Sequence, residues 1–459
     1  MSFLCALRAL AVFALFDLTL AVPGDYDCSV PFIGPIAETM AMRSVRSFLI
    51  LLLLVMASPV RAGELDLAAD WPWWRGPTHD GVAADGQTPP MKWTEKENVL
   101  WSSPIPGRGQ GSPIVVGEQV FVVAAEPQRE VQSVLCFDRG TGKQLWQAEV
   151  HRGAFEKKIN AKGSHASTTC ACDGERVFVN FLNGGAVYVT ALNRSGQQIW
   201  QTKVSDYVNH QAFGASPAIY GNLVIVAADN KGTGAIVALE RTTGKVAWRQ
   251  ERPAKPNYAP PVLLRIGGRE QVLFSGCDLV TSFEPATGKK LWETEGATTE
   301  CVTSIVTDGQ RVFTSGGYPR NHIQAVRADG SGKVEWENGA RVYVPSMIIK
   351  DGYLYAVLDA GVAMCWKSDT GEEVWKERLG GTFSSSLVLV GDNLLATSES
   401  GRTYVFAASP QGFKLVAENQ LGSECFATPA VCGSRIYHRV AQQVDGQRQE
   451  MLYCLGQAR

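Results

Sequence analysis

Four histidines, His151, His165, His210 and His322, fall in irregular stretches of the chain, as do Glu300, Glu424, Arg320 and Tyr258, and Arg108 and Tyr343 join them as candidates. Histidine with carboxylates can ligate a metal or move a proton; aromatics with arginine and acids can hold a small molecule or a peptide. His165 and His210 would be the first pair to test for metal. Neither has a second histidine at ligand spacing, and acids are merely available. No Gly-x-Ser-x-Gly elbow, P-loop or His-Glu-x-x-His occurs, and Asn230–Gly234 (NKGTG) reads as a hairpin tip with no helix after it. Nine cysteines follow residue 62, none with the histidine neighbourhood of a nucleophile. Cys136, Cys365 and Cys454 fall where other units carry Ala238, Ser282 or Ala325, so they read as small packing residues. Cys170 and Cys172 would form a strained bridge or stay reduced, and reduced is the expectation.

These residues are held in place by a repeated phrase. Val134–Trp146 (VLCFDRGTGKQLW), Ile236–Trp248 (IVALERTTGKVAW), Thr281–Trp292 (TSFEPATGKKLW) and Ala363–Trp375 (AMCWKSDTGEEVW) each read as strand, Gly-bearing turn, strand. Worn copies end at Trp200 and Trp336. Upstream of each copy lies a short strand after a Ser/Thr-Pro-like step, as at Gly111-Ser112-Pro113, Ala215-Ser216-Pro217 and Ala427-Thr428-Pro429, then a tight turn and a second strand. Four antiparallel strands per unit of about 40–50 residues make a propeller blade. The chain is therefore expected to be all-β, an eight-bladed propeller. Its last unit has only three strands, and Val99–Ser102, with Trp101, supplies the fourth and closes the ring. Seven blades with an irregular end is the alternative. Trp101, Trp146, Trp200, Trp248, Trp292, Trp336 and Trp375 are expected to dock between blades as architecture.

Blade geometry then distributes the candidates. The turns after the first and third strands are short and uniform; the other connections, such as 147–165, 201–214 and 315–322, are irregular and share the opposite face. Variation confined to one face marks it as the binding face. Positions just before each inner strand should ring the channel mouth, namely Arg108, His165, Phe213, Tyr258, Glu300, Tyr343, Phe383 and Glu424. His210, Arg320 and His322 would lie in the loops beside them.

The 459 residues carry a formal charge of −2, which leaves no electrostatic footprint for nucleic acid. Residues 1–62 read as a targeting region. A basic start at Arg43 and Arg46, an apolar run and Val60-Arg61-Ala62 make 42–62 a secretory signal, either cleaved or retained as an anchor, while 1–39 suggests an over-extended start. The cleaved protein would be periplasmic or secreted, and not integral to a membrane. Residues 63–97 form a leader dense in Trp and Pro, with Trp71-Pro72-Trp73-Trp74-Arg75-Gly76-Pro77 as plug or strap on the 98–459 propeller, or as a surface for a sugar or quinone ring.

The Thr-Gly-Lys-x-x-Trp phrase closely resembles the tryptophan-docking motif of the PQQ-like β-propeller superfamily over about 99–459. With its leader, the chain looks most like the secreted bacterial PQQ-like repeat proteins. The superfamily includes quinoprotein alcohol dehydrogenases, with pyrroloquinoline quinone and calcium, and the propeller lipoprotein of outer-membrane barrel assembly, which has no cofactor. The chain departs from the first group. The resemblance would call for adjacent cysteines beside the quinone, and Ala171 separates Cys170 from Cys172. No Cys-x-x-Cys-His haem site occurs either. It departs from the second in having no lipid-anchoring cysteine after residue 62 at the cleavage site. The expectation is a non-catalytic scaffold with no cofactor, binding a protein or small ligand on its long-loop face. The alternative is a dehydrogenase of alcohols or sugars using the quinone and calcium.

Overall fold

A computed structural model describes residues 63–457. The expected signal at 42–62 and the segment before it lie outside the described residues. Eight four-stranded antiparallel sheets follow in chain order. Blades 1 to 7 span residues 114–152, 171–206, 218–252, 262–295, 306–338, 348–378 and 388–420. In each, the chain moves from an inner strand outward. Blade 8 takes its three inner strands from 430–455 and its outer strand from Val99–Ile105, so the ring closes as expected and eight blades, not seven, are present.

The register explains why the repeat tolerates only small residues at one position. The docking Trp faces Cys136, Ala191, Ala238, Ser282, Ala325, Cys365 or Cys454 on the neighbouring third strand, and a register shift follows at each. A small side chain there leaves room for the indole. Blade 7 lacks the Trp, and its Ala417 instead faces the larger Val405. Six of the indole N–H groups donate to a backbone carbonyl of the next blade, as Trp200 does to Arg241 at 2.9 Å and Trp248 to Pro285 at 3.0 Å. Trp292 differs: its N–H donates to Gln271 Oε1 of its own blade. The nine described cysteines are buried and unpaired, and burial pushes those thiols up, Cys136 and Cys172 to about 12.

The leader crosses the face of the short turns. Trp71 pairs with Val115 of blade 1 through two backbone hydrogen bonds. Buried Arg75 donates to the Met347 carbonyl at 2.6 Å and the Leu387 carbonyl at 3.3 Å, beside blades 6 and 7. Between these anchors Trp74 reaches the axis, where its indole N–H donates to Ser304 Oγ at 2.8 Å.

One buried group makes the ring sensitive to acid. His438, on the second strand of blade 8, is fully buried, with Nδ1 unpartnered and Nε2 3.4 Å from Thr397 Oγ1. Burial holds its pKa down at about 4, against an ordinary 6.5. Between these values the unfolded chain binds a proton that the folded chain refuses, so stability falls as pH falls through that window. Thermal melts should show the midpoint dropping from pH 7 to pH 5, and His438→Gln should shed part of that slope. A slope unchanged by the substitution would assign the effect elsewhere.

Candidate functional site

Eight inner strands converge on the axis, and a belt of hydroxyls joins them. The residue two before each inner strand is Ser112, Thr169, Ser216, Pro260, Ser304, Ser346, Ser386 or Thr428. The backbone N–H of each donates to the side-chain hydroxyl of the next blade at 2.9–3.0 Å, from Thr428 to Ser112, Ser112 to Thr169 and Thr169 to Ser216. The same step runs from Ser304 to Ser346, Ser346 to Ser386 and Ser386 to Thr428. Two steps are missing, both at blade 4, because Pro260 has neither a hydroxyl nor an N–H. Ser304, left without a Pro260 donor, accepts the Trp74 indole instead. The leader thus docks where the belt is broken.

Above the belt lies a cavity of about 480 Å³ that opens among the irregular loops, with Trp74 at its other end. Its aromatic lining is Trp74, Phe213, Tyr258, Tyr343, Phe383 and Phe426. Its charges are matched. Lys162, from the loop before blade 2, reaches across to Glu399 of blade 7 at 2.8 Å. Burial pushes the Glu399 carboxyl up, but Lys162 with the Ser384 and Thr382 hydroxyls outweighs it and holds the carboxyl below its usual range. Arg341 lies 5.3 Å over the Tyr343 ring, beside Asp359. Asp359 accepts the Tyr343 backbone N–H at 2.8 Å, yet burial pushes its carboxyl above the usual range. The Tyr258 hydroxyl is buried at the wall without a hydrogen-bond partner.

Of the expected mouth residues, Phe213, Tyr258, Tyr343 and Phe383 line this cavity; Arg108, His165, Glu300 and Glu424 do not. The latter four stand four residues before the belt, whereas the lining stands two or three before it. At that greater distance the incoming chain still pairs with the second strand, and Arg108, Glu300 and Glu424 form isolated bridges to Ala125, Tyr318 and Ala441. Arg108 then lies over the Phe426 ring, and Glu424 binds Arg448. His165 packs on Phe155, ring centroids 4.2 Å apart. Buried Glu300 accepts from Tyr343 Oη and faces His210 Nε2, both at 3.2 Å, which joins three of the candidates behind the wall. His322 is a strand residue and not a loop one; it opens the third strand of blade 5, buried, with Nε2 unpartnered. His151 likewise sits within the outer strand of blade 1, because that strand runs on to Arg152. Arg320 is exposed beside the cis Tyr318-Pro319 bond. His165 and His210 are not joined in a metal cluster: no group of three or more His, Cys, Asp or Glu able to hold a metal occurs among the described residues.

Lys162, Glu399, Asp359, Arg341 and Trp74 were not legible as a set, since they come from five separate segments. The belt was legible in part: a hydroxyl recurs in the Ser/Thr-Pro-like step that opens successive units.

Comparison with known proteins places this geometry. The family model described as outer membrane protein assembly factor BamB matches residues 130–377, more than half of the chain. The protein of that name from Bordetella pertussis is 23% identical over 357 residues, covering 72% of this chain and 81% of that one. Polyvinylalcohol dehydrogenase from a Sphingopyxis species is 20% identical over 387 residues, covering 77% of this chain but 51% of that one. Among solved structures, quinohemoprotein alcohol dehydrogenase from Comamonas testosteroni superposes with a TM-score of 0.63 at 13% identity, over 86% of this chain and 82% of that one. BamB from Moraxella catarrhalis gives 0.54 at 14%, over 77% and 96%. At these identities the structures speak for the fold alone. The repeat phrase, the eight closed blades and the family match together make this chain a member of the PQQ-like β-propeller family represented by the assembly factor BamB.

Proposed function

We propose that this chain is an exported binding propeller without catalytic chemistry of its own: the ring is a rigid scaffold, and the loop-face mouth of its channel receives a small ligand or a segment of a partner protein. The observation that carries this reading is the cavity itself, aromatic-walled, lined by Trp74 of the leader and by residues of the variable loops. Similarity to assembly factors supports the partner version. No helix among the described residues is long and apolar enough to cross a membrane.

The second reading, a quinone- and calcium-dependent dehydrogenase, draws on the likeness to polyvinylalcohol dehydrogenase and on Trp74 as an aromatic floor. The residues present do not fit the pair of groups. Calcium takes six to eight oxygens. The two lining acids are committed, Glu399 to Lys162, Ser384 and Thr382, and Asp359 to the Tyr343 amide. Cys170 and Cys172 pack in the core between blades 1 and 2, away from the cavity.

Gly214 supplies the test. It lines the cavity, and a Cβ built on it meets nothing within 4 Å. Gly214→Trp should therefore fill the mouth while leaving the melting midpoint within about 2 °C of the parent, as expected for a substitution that creates no clash. A panel of peptides and small molecules is titrated into the parent and the variant. A ligand that loses at least tenfold in affinity on filling supports the mouth as the site; binding that ignores the filling removes it. In parallel, dye-linked oxidation of alcohols and sugars with added pyrroloquinoline quinone and calcium should give no turnover, and turnover lost in Gly214→Trp would establish the second reading.

A further inference from the structure

The belt hydroxyls have a capacity that the fold leaves unused. Ser112, Thr169, Ser216, Ser346, Ser386 and Thr428 each accept a backbone N–H from the preceding blade, Ser216 being the last member before the break. Among the described residues, none of these hydroxyls donates to a protein group. A hydroxyl carries one proton and two lone pairs, so each keeps a donor in hand. Five of the six line the cavity. The fold thereby sets a partial ring of hydroxyl donors around one axis.

Three further features restrict what the ring can hold. At one end stands Trp74, a half-buried indole fixed through its N–H, so a ring can lie against it without breaking that bond. On the wall is the buried Tyr258 hydroxyl, which lacks a hydrogen-bond partner. A buried polar group left unpaired is costly, and a ligand hydroxyl would satisfy it. Finally, the cations are already engaged, Lys162 with Glu399 and Arg341 with the Gly317 carbonyl and the Tyr343 ring. A strongly anionic or cationic ligand would have to displace one of these partners.

We infer that the cavity is a saccharide site, which takes one or two rings of a neutral, polyhydroxylated ligand stacked on Trp74 and hydrogen-bonded by the belt hydroxyls and Tyr258. Aromatic surface meets the apolar face of a sugar ring, and hydroxyl donors meet its equatorial oxygens. The volume of about 480 Å³ lies within the ordinary range for small-molecule sites of roughly 300–1,000 Å³. The inference rests on the mouth being a binding site, as proposed above.

The test uses the full chain, titrated by calorimetry and saturation-transfer NMR with glucose, galactose, N-acetylglucosamine, maltose and cellobiose. Glucuronate and glucosamine serve as charged analogues. At least one neutral sugar should bind saturably, with affinity falling at least tenfold in Gly214→Trp and in Trp74→Leu, and the charged analogues should bind more weakly. If Trp74→Leu does not fold, Gly214→Trp alone decides. Absence of binding by every neutral sugar, binding indifferent to Gly214→Trp, or charged analogues binding as well as neutral ones would overturn the inference. The two readings separate cleanly. Should a peptide or pyrroloquinoline quinone, but no sugar, be excluded by Gly214→Trp, the ligand class falls and the mouth stands; should no probe respond to the filling, both fall.

Discussion

Glu450→Met will destabilise the propeller by about 3–5 kcal/mol, the cost typical of removing one partner from a buried ion pair. Glu450 lies on the third strand of blade 8 with its side chain 2% exposed, paired to the equally buried Arg439 at 2.5 Å. The pair works at the closure of the ring. Arg439 also donates to the Val123 carbonyl at 2.7 Å and the Gly111 carbonyl at 3.2 Å, both in or beside blade 1. Glu450 accepts the Gly109 backbone N–H at 3.1 Å and binds Arg448 at 2.9 Å. Methionine keeps the volume but leaves a guanidinium buried with backbone carbonyls alone, and it orphans the Gly109 N–H. Thermal denaturation should show a midpoint lower by several degrees. Hydrogen exchange should show early loss of protection at residues 99–111 and 435–455. The double variant Arg439→Met/Glu450→Met should recover part of the loss, because no unpaired charge then remains. A single variant as stable as the parent would mean that the seam is held by the strand pairing of Val99–Ile105 alone.

The second large effect is expected at a blade-to-blade seam. Trp248→Ala should cost about 3–5 kcal/mol, the usual range for emptying a buried aromatic site. Trp248 is 8% exposed, and its N–H donates to Pro285 of blade 4. Its ring lies against Gly288, where a Cβ would come within 2.6 Å of the indole and where φ is +71°. That contact explains why the turn needs glycine, both for its left-handed backbone and for the indole above it. Gly288→Val should therefore destabilise the same seam from the other side. The two substitutions should be far from additive, since both remove one contact. Additive losses in a double-variant cycle would show that the indole and the glycine act independently.

The blades were legible because their signal is local. Alternating apolar residues, a Gly-bearing turn and a Trp three residues later define six hairpins, and with a seventh unit lacking the Trp and a last unit of three strands they define the ring. Even the outer strand at Val99–Ile105 was legible, because Trp101 has no hairpin of its own and the last unit lacks a strand. Trp292 shows where that reading ends. Its phrase is intact, yet Gln271 of the same blade takes its N–H. A hydrogen-bond partner is chosen by what lies nearest in space, which a repeat phrase does not encode. The candidate site was legible by face but not by residue. Tyr258 and Tyr343 line the cavity, while Glu424 and Arg108 are drawn back against the second strand. That difference is a shift of one or two residues in where the chain leaves one strand pairing for the axis, and loop sequences carry no period from which to count it.

By itself, then, the amino-acid sequence determined the number of blades, the closure of the ring, the small packing residue at one place in the repeat and the face that carries the variable loops. All of these follow from short-range periodicity repeated around a circle. Tertiary structure alone decided that Trp74 enters the channel, that Lys162 meets Glu399 across it, and that a ring of hydroxyls surrounds the axis with its protons free. Those arrangements join residues up to 316 positions apart. They depend on closing the circle, which brings eight equivalent positions to one axis and gives the break at Pro260 a single place for the leader to dock.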